Sequence, residues 1–462
     1  MTGTRIATGL ALGAYFLALL GVGALAARRM KSFRDYITGG GSIPAWMLAV
    51  SFMANFVSAN SFVGHAAKSY EVGPAFCLVG AFLVAACALS FHVFAPRFAD
   101  FAREHGTTTL PDFFERRFGS RPLAVLVHWV VVAATLIYIL AVVRSTALVA
   151  AAGLGLGYPT ALGLIYVITV AYCVLGGLWA DVFTDVIQSV VLVGGAIALF
   201  VAVLVASPDP AAGPPPPLRP MPLGALLAIG LSGSVKLLVD PKQVLVFFAF
   251  GDGQAARRFR WLAPLSLLLV LGCLFPVGYL ARGLTPAPSE VDALVPTLVF
   301  EHHLLGAGFG VLFFIAIFAA SMSSLDSALL VVASCLEKHV AAPLARTAPS
   351  ATRARVLLLA VSTVVLLMSF WPLGGVVELA TLSGALLGAA LLPTICVGLT
   401  RLEVPASAAL ASVLAGLVGA LGGKLLPAAL GIRSPWLQDV FVGIAASTLV
   451  LIPWLLTRPR AA

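Results

Sequence analysis

Apolar runs of membrane-spanning length recur along nearly the whole chain, and this feature limits the folds open to it. A helix needs about 20 apolar residues to cross a bilayer, where it satisfies its own backbone hydrogen bonds. With 60% hydrophobic and 10% charged residues, the chain does not have the balance of a soluble domain. It is predicted to be an all-α polytopic membrane protein with about thirteen transmembrane helices, at residues 6–27, 44–67, 73–96, 122–152, 158–176, 178–206, 223–250, 261–281, 306–334, 355–371, 373–400, 405–430 and 435–457.

The net charge of +9 reports topology instead of a nucleic-acid partner, because the basic residues lie in short loops between apolar runs. Basic loops at 28–34, 97–121, 257–260 and 338–355 alternate with loops that hold only Lys68, Arg219, Arg282 and Arg433. The positive-inside rule then places the amino terminus outside and the carboxyl terminus in the cytoplasm. We expect a lipid bilayer of the bacterial inner-membrane type around a protein that functions as a monomer.

The sequence shows no features that indicate an enzyme. The sequence contains no nucleophile–base–orienter set, phosphate-binding loop or metal-ligand spacing. Its six cysteines are scattered in or beside apolar runs and predict neither a disulfide framework nor a metal site. We therefore expect no enzyme and no nucleic-acid-binding protein.

One apolar run, residues 311–334, carries a concentration of oxygen-bearing side chains at Ser321, Ser323, Ser324, Asp326 and Ser327. Hydrocarbon cannot satisfy these groups, so they must face a protein interior, a cavity or a bound ion. Hydroxyls, carbonyls and a carboxylate are ligands for a hard cation. Helix packing would explain the serines. It does not explain the carboxylate.

Two other runs are interrupted by polar residues at matching places. The second span holds Asn55, Ser58, Asn60 and Ser61, which loosen a helix, and the seventh holds Pro241, which removes a helix hydrogen bond. Such a pair indicates an inverted-repeat transporter with its site at the midplane. The alternative is an ordinary proline kink with a polar packing face.

This interpretation predicts five segments along the chain. A Pro-rich outer loop separates two groups of five helices, with one extra helix before them and two after. The predicted boundaries are 1–30 for the extra helix, 40–206 for the first repeat, 207–222 for the loop, 223–402 for the second repeat and 403–462 for the carboxyl-terminal helices and tail.

The buried charges leave alternatives open. Asp181 is interpreted as a hydrated carboxylate at a helix amino terminus, and Asp185, one turn deeper, as part of an ion path. Arg144 lies deep in its span and needs an internal partner, either a structural one such as Asp240 or Glu378 or the carboxylate of a substrate. Lys236 is a second positive group, which Asp240 at i+4 would neutralise.

Three patches resemble the sodium:solute symporter family of sugar, proline, pantothenate and sialic acid symporters. They are Gly39–Trp46 leading into 52–64, Tyr172–Gln188, and Ala320–Ser327. The resemblance covers about residues 5–400. It implies the leucine-transporter-like fold, a 5+5 inverted repeat, with an extra helix before the ten-helix core.

The resemblance also implies three sets of site residues. The main Na⁺ site would use the carbonyl oxygens of Ala54, Val57 and Ala320 and the hydroxyls of Ser323 and Ser324. A second cation site would use Asp185, Asp326 and Ser327. The substrate would be bound by Ser58, Asn60, Ser61, Arg144, Lys236 and Thr381.

The sequence therefore predicts a symporter that couples inward Na⁺ movement to uptake of a small organic solute by alternating access. Aromatic residues, which family members offer to a sugar ring, are absent from 237–239, so we expect a carboxylate-bearing solute such as an amino acid or monocarboxylate. Two alternatives stay open. One is proton coupling through Asp326 or Asp185, and the other is a solute-sensing membrane module.

Overall fold

A computed structural model describes residues 2–27, 32–206, 216–284, 291–301, 304, 306–371, 374–430 and 439–456. All regular structure in these residues is helical. The α-helices are α1 Thr2–Ala27, α2 Phe33–Thr38, α3 Ala45–Phe56, α4 Ala59–Val72, α5 Cys77–Leu89, α6 Ala95–His105, α7 Leu110–Phe118, α8 Arg121–Leu154, α9 Tyr158–Val205, α10 Leu223–Val239, α11 Pro241–Ala249, α12 Gly253–Arg258, α13 Leu262–Leu280, α14 Leu294–Pro296, α15 Gly306–Leu336, α16 Ala342–Ala345, α17 Ala351–Met368, α18 Val376–Gly398, α19 Ala406–Leu430 and α20 Asp439–Leu455.

The predicted all-α membrane architecture is confirmed. By length and composition, the described residues contain ten helices able to cross a membrane, or eleven if a pair bent by 111° at residues 41–45 counts as one span. Two shorter apolar helices, Tyr158–Ala171 and Asp439–Leu455, lie where further spans are predicted. The count of thirteen is therefore approximate. The basic residues at 28–31 and 433, and most of the Pro-rich loop, lie outside the described residues.

The second predicted span is broken in its middle, as its polar residues indicate. Helix α3 ends at Phe56, Val57 and Ser58 are extended, and α4 begins at Ala59. The Ser58 backbone N–H donates to Ser61 Oγ at 3.2 Å, so a side chain replaces the missing helical acceptor. The break therefore exposes backbone oxygens inside the protein.

The seventh predicted span is broken at Asp240, immediately before Pro241. Asp240 caps α11 by accepting a hydrogen bond from the Lys242 backbone N–H at 3.1 Å. Proline at the first position of α11 has no N–H to leave unsatisfied. From α11, Lys242 Nζ donates to the Asn55 carbonyl at 2.9 Å, so the two broken helices meet.

Helix α9 contains the fifth and sixth predicted spans, separated at Gly177. This residue has φ 53° and ψ −172°, a backbone region that is essentially restricted to glycine. The part of α9 after Gly177 packs between α3 and α15. It also contacts α1, where Gln188 Nε2 donates to the Tyr15 hydroxyl at 2.7 Å. This arrangement brings Asp181 and Asp185 to the centre of the bundle.

Candidate functional site

The broken end of α3 meets the serine-rich part of α15. Ser324 Oγ donates to the Asn55 carbonyl at 3.0 Å, and the Ser323 and Ser324 side chains are fully buried. Because Ser58 N–H is used by Ser61, no backbone N–H of the described residues bonds the Ala54 carbonyl. The Ala54 carbonyl precedes the Asn55 carbonyl that Ser324 contacts, and oxygen atoms of these kinds suit a hard cation. Coordination by these groups, and by Val57 and Ala320, stays a prediction.

Asp185 is the centre of a buried polar cluster that joins three helices. Its carboxylate accepts hydrogen bonds from Ser51 and Asn55 of α3 and from Ser323 of α15, and the Asn55 Nδ2 bond is 3.3 Å long. Asp185 is completely buried. A buried carboxylate persists because donors surround it. Through Ser323, Asp185 is linked directly to the predicted main Na⁺ site.

Asp181 is buried, and the interpretation of it as a wet helix end is wrong. It is only 3% exposed, and Ser327 Oγ donates to its Oδ2 at 2.6 Å. The Asp326 carboxyl group is a further close neighbour of Asp181. Helix α9 starts its second part at Gly177, so Asp181 already lies one turn inside the bundle. The matched i, i+4 spacings of 181/185 and 323/327 are the signal that the sequence offered.

The three residues predicted for the second cation site therefore divide between two carboxylates. Asp185 shares hydrogen bonds with Ser323, whereas Asp326 and Ser327 gather around Asp181. Two carboxyl groups this close are stable only with a proton or a cation between them. A second cation site at these residues stays a prediction.

A cavity of about 90 Å³ lies beside the two helix breaks. Ser58, Ser61, Lys236 and Thr381, four of the predicted substrate residues, contribute to its wall. Its other polar lining residues are His65, Lys68, Tyr138, Ser232 and Lys242, and no described lining residue carries a carboxylate. The cavity wall is therefore cationic.

Two buried ammonium groups share the cavity wall. Lys236 Nζ and Lys242 Nζ lie 4.6 Å and 4.8 Å from the centre of the Tyr138 ring. Asp240 does not pair with Lys236 as predicted; its Oδ2 is 3.6 Å from Lys242 Nζ instead. The Asp240 backbone N–H still bonds to the Lys236 carbonyl, but the Asp240 carboxylate caps α11 instead of pairing with Lys236. Within the described residues, no carboxylate lies within 4.0 Å of Lys236 Nζ.

Arg144 stands apart from this cavity, and the position of the Asn60 side chain is not described. Arg144 donates to the Gly374 carbonyl just before α18, and it is not among the residues that line the cavity. It makes no ion pair with Asp240 or Glu378 among the described contacts. The backbone of Asn60 lies in the first turn of α4, and its side chain is outside the described set.

Two residues of this region were not found by sequence reasoning. Tyr138 lies in a long apolar run, and nothing in the sequence distinguishes it from its neighbours. Its position beside the two helix breaks is seen only in the structure. Lys242 follows Pro241 directly, so helical i+4 spacing to other polar residues did not predict which groups it contacts. A lysine inside an apolar run was the available signal.

Comparisons with known proteins place this geometry in context. Residues 36–208 match the Sodium:solute symporter family. The chain is 25% identical to a sodium/pantothenate symporter of Haemophilus influenzae over 66% of each chain. It is 24% identical to the sodium/sialic acid symporter SiaT of Proteus mirabilis, over 73% of this chain and 71% of that protein. These matches confirm the resemblance expected from the sequence.

The fold is also found in solved structures. A Na⁺-coupled sialic acid symporter in a substrate-bound outward-open state superposes with a TM-score of 0.81 at 19% identity, covering 98% of both chains. A nucleobase-cation-symport-1 family transporter, Mhp1, superposes with a TM-score of 0.60 at 14% identity, over 91% of this chain and 93% of that one. These likenesses confirm the leucine-transporter-like fold.

Proposed function

We propose that this chain is a Na⁺-coupled secondary symporter of the sodium:solute symporter family that imports a small carboxylate-bearing solute by alternating access. Similarity to Na⁺ symporters supports Na⁺ as the coupling ion and a transporter instead of an enzyme. The single observation that carries the solute class is the cavity that contains Lys236 without a carboxylate partner.

The solute class follows from charge. Lys236 and Lys242 are 7% and 2% exposed, and Asp240 is close enough to pair only with Lys242. An unpaired ammonium group inside a membrane protein carries a large desolvation cost. The carboxylate of a bound solute lowers that cost, so the solute supplies the missing counter-charge. Hydroxyls of Ser58 and Ser61 add hydrogen-bond donors to the same cavity.

The main Na⁺ site lies between the end of α3 and α15. Na⁺ takes the carbonyl oxygens of Ala54, Val57 and Ala320 and the hydroxyls of Ser323 and Ser324. The bond from Ser324 to the Asn55 carbonyl supports this placement, because it holds the two helices together where the ligands converge. Asp185, bonded to Ser323, adds negative charge within reach of this site.

Coupling follows from linkage. Na⁺ fixes the break of α3, and the same break forms one wall of the cavity, so each ligand raises the affinity of the other. Inward opening then releases Na⁺ into the cytoplasm, and the solute follows. The protein works as a monomer in a bacterial-type inner membrane, amino terminus outside and carboxyl terminus inside, with the two repeats at 40–206 and 223–402.

Thermal unfolding of the purified protein tests this proposal. Pantothenate, sialic acid and proline, which carry a carboxylate, are compared with glucose, which does not, each in NaCl and in choline chloride. Selective binding raises the unfolding midpoint by mass action. We expect a carboxylate to stabilise the protein much more with Na⁺ than with choline, and to lose most of this effect in Lys236→Met. Stabilisation by glucose alone, or equal stabilisation in choline, would contradict the proposal.

Proton coupling is the second candidate, and the closeness of the buried carboxyl groups of Asp181 and Asp326 favours it. A proton shared by two buried carboxyl groups is an alternative to a cation between them. Uptake into vesicles without Na⁺, driven by an inward proton gradient, separates the two. Uptake that depends on the proton gradient and is lost in Asp326→Asn would favour protons.

A further inference from the structure

Lys242 occupies an unusual place between the two broken helices. Its side chain is 2% exposed, and its ammonium group reaches from the first turn of α11 to the Asn55 carbonyl, 2.9 Å away. The same ammonium group belongs to the cavity wall and lies 4.8 Å from the centre of the Tyr138 ring. Lys242 therefore touches the end of α3 and the cavity at once.

The Asn55 carbonyl is shared by two donors. Lys242 Nζ approaches it at 2.9 Å and Ser324 Oγ at 3.0 Å. Ser324 uses its hydrogen on this carbonyl, which leaves its lone pairs for a cation. An unbroken chain of contacts thus runs from the cavity through Lys242 and Asn55 to a hydroxyl of the proposed Na⁺ site.

We propose that Lys242 is a positioning residue that couples the solute cavity to the Na⁺ site. This inference rests on the proposed function. The ammonium group fixes the last carbonyls of α3, and the negative charge of a solute carboxylate in the cavity stabilises the buried positive charge of that donor. Without it, Asn55 keeps a single donor at its buried carbonyl, and the neighbouring carbonyl ligands lose their fixed position.

The surrounding charges favour this role. Asp240 lies 3.6 Å from Lys242 Nζ, and the buried Asp181 and Asp185 also feel its charge. Lys236, on the far side of the helix break, repels it. The ion pair with Asp240 and the hydrogen bond to Asn55 therefore hold the ammonium group against the end of α3.

The first test measures Na⁺ alone. The unfolding midpoint of the full-length protein is followed as NaCl replaces choline chloride at constant ionic strength. We expect Lys242→Met to raise the Na⁺ concentration for half-maximal stabilisation at least about tenfold, the equivalent of one charge-assisted hydrogen bond. Lys242→Arg, which keeps charge and donors, recovers most of the affinity. Lys424→Met, an exposed lysine on α19, is the matched control.

A second measurement guards against a variant that fails to fold. Lys242→Gln keeps an N–H donor without the charge, and Ser324→Ala removes the other donor to the Asn55 carbonyl. If both donors act on one carbonyl, the effects of Lys242→Gln and Ser324→Ala on Na⁺ affinity are not additive in the double variant. Additive effects, or an unchanged Na⁺ affinity in Lys242→Met, would overturn the inference.

The solute measurement separates binding from coupling. The probe is whichever of pantothenate, sialic acid and proline most stabilises the wild-type protein, and its Kd is measured in Na⁺ and in choline. Lys242→Met brings the ratio of the two Kd values towards one, whereas Lys236→Met weakens both and preserves the ratio. If none of the three binds, the Na⁺ titration decides alone.

The two hypotheses fail differently. A wild-type protein that Na⁺ does not stabilise over choline contradicts the proposed function, whatever Lys242 does. A wild-type protein that Na⁺ stabilises, together with Lys242→Met of unchanged Na⁺ affinity, contradicts only the role of Lys242.

Discussion

The polar residues at the centre of the helix bundle allow the most specific predictions. Asp185 accepts hydrogen bonds from Ser51, Asn55 and Ser323, and all four side chains are completely buried. Because a carboxylate only accepts, an amide in its place turns one set of hydrogens towards these donors. The charge that faces the proposed Na⁺ ligands is lost at the same time.

Asp185→Asn is therefore expected to weaken Na⁺ binding at least about tenfold. This loss of affinity is comparable to the loss of one charge-assisted hydrogen bond. The measurement is the Na⁺ dependence of the unfolding midpoint in choline-balanced buffer. Ser51→Ala removes one donor and keeps the charge, so it serves as the control and lowers stability with little change in Na⁺ affinity. A wild-type Na⁺ response in Asp185→Asn would exclude Asp185 from the cation site.

Arg144 yields a prediction opposite to the one its sequence position suggests. Its guanidinium group donates to the Gly374 carbonyl and does not line the cavity. Arg144→Met is expected to lower the unfolding midpoint, because the Gly374 carbonyl loses its donor, while the Kd of a carboxylate solute changes less than about threefold, below 1 kcal/mol. Isothermal titration measures the Kd. A loss of solute binding as large as that of Lys236→Met would return Arg144 to the binding site.

Whether the role of a single residue could be predicted from the sequence depended on where the helices break. The serines of α15 and Asp185 were recognisable because polar groups in an apolar run need partners. Lys236 with Asp240 was misjudged because Asp240 lies at the helix break, where its carboxylate caps the next helix instead of pairing with Lys236. Asp181 was misjudged because its position relative to α15 is a tertiary property.

At the scale of elements, α7 offers a test in a segment outside the predicted spans. Asp112 accepts hydrogen bonds from the Thr108 and Thr109 backbone N–H groups at 3.1 Å and 2.9 Å, and its Oδ2 lies 2.6 Å from Lys338 Nζ. Burial alone would raise the pKa of Asp112, but the Lys338 ammonium, together with His339 and the Thr108 N–H, outweighs it and holds the pKa below the ordinary 3.8. Asp112 therefore anchors α7 to the end of α15.

The sign of its pH dependence follows. A lowered folded-state pKa gives stability that is fully present above the ordinary pKa and is lost as the pH falls through the folded-state value. Asp112→Asn is expected to cost about 2 kcal/mol at neutral pH, less than a fully buried pair because Lys338 is partly exposed. Differential scanning fluorimetry measures the unfolding midpoint of both proteins as a function of pH.

The difference between the wild-type and Asp112→Asn midpoints should shrink as the pH falls below 3.8. Asp35→Asn is the matched control, because Asp35 fills the same capping position in α2 at an exposed site, 3.0 Å from Ser32. A capping hydrogen bond alone is worth about 1 kcal/mol. Equal losses in the two variants would show that the Lys338 pair contributes nothing.

At the scale of the whole molecule, the arrangement of helices was the most predictable property. Apolar length gave the spans, and Pro241 and the polar residues of the second span gave the two breaks five spans apart. The sequence could not show which residues of the two helix breaks contact each other. The contacts of Lys242 and Gln243 with the α3 carbonyls depend on the register of α11 against α3, which no local pattern contains.

The same arrangement predicts which face of the molecule opens. Ile229 of α10 lines the cavity and is half-buried. If Na⁺ favours the outward-open state, a membrane-impermeant thiol reagent applied outside modifies Ile229→Cys faster in Na⁺ than in choline, and more slowly once a carboxylate solute binds.

The background carries Cys77→Ala and Cys396→Ala, which removes the two cysteines that are not buried. Thr347→Cys, exposed on the predicted cytoplasmic face, should react only after permeabilisation. Equal rates for Ile229→Cys in both salts would contradict Na⁺ control of access, because a cavity that stays equally open cannot transmit the binding of the ion to the solute.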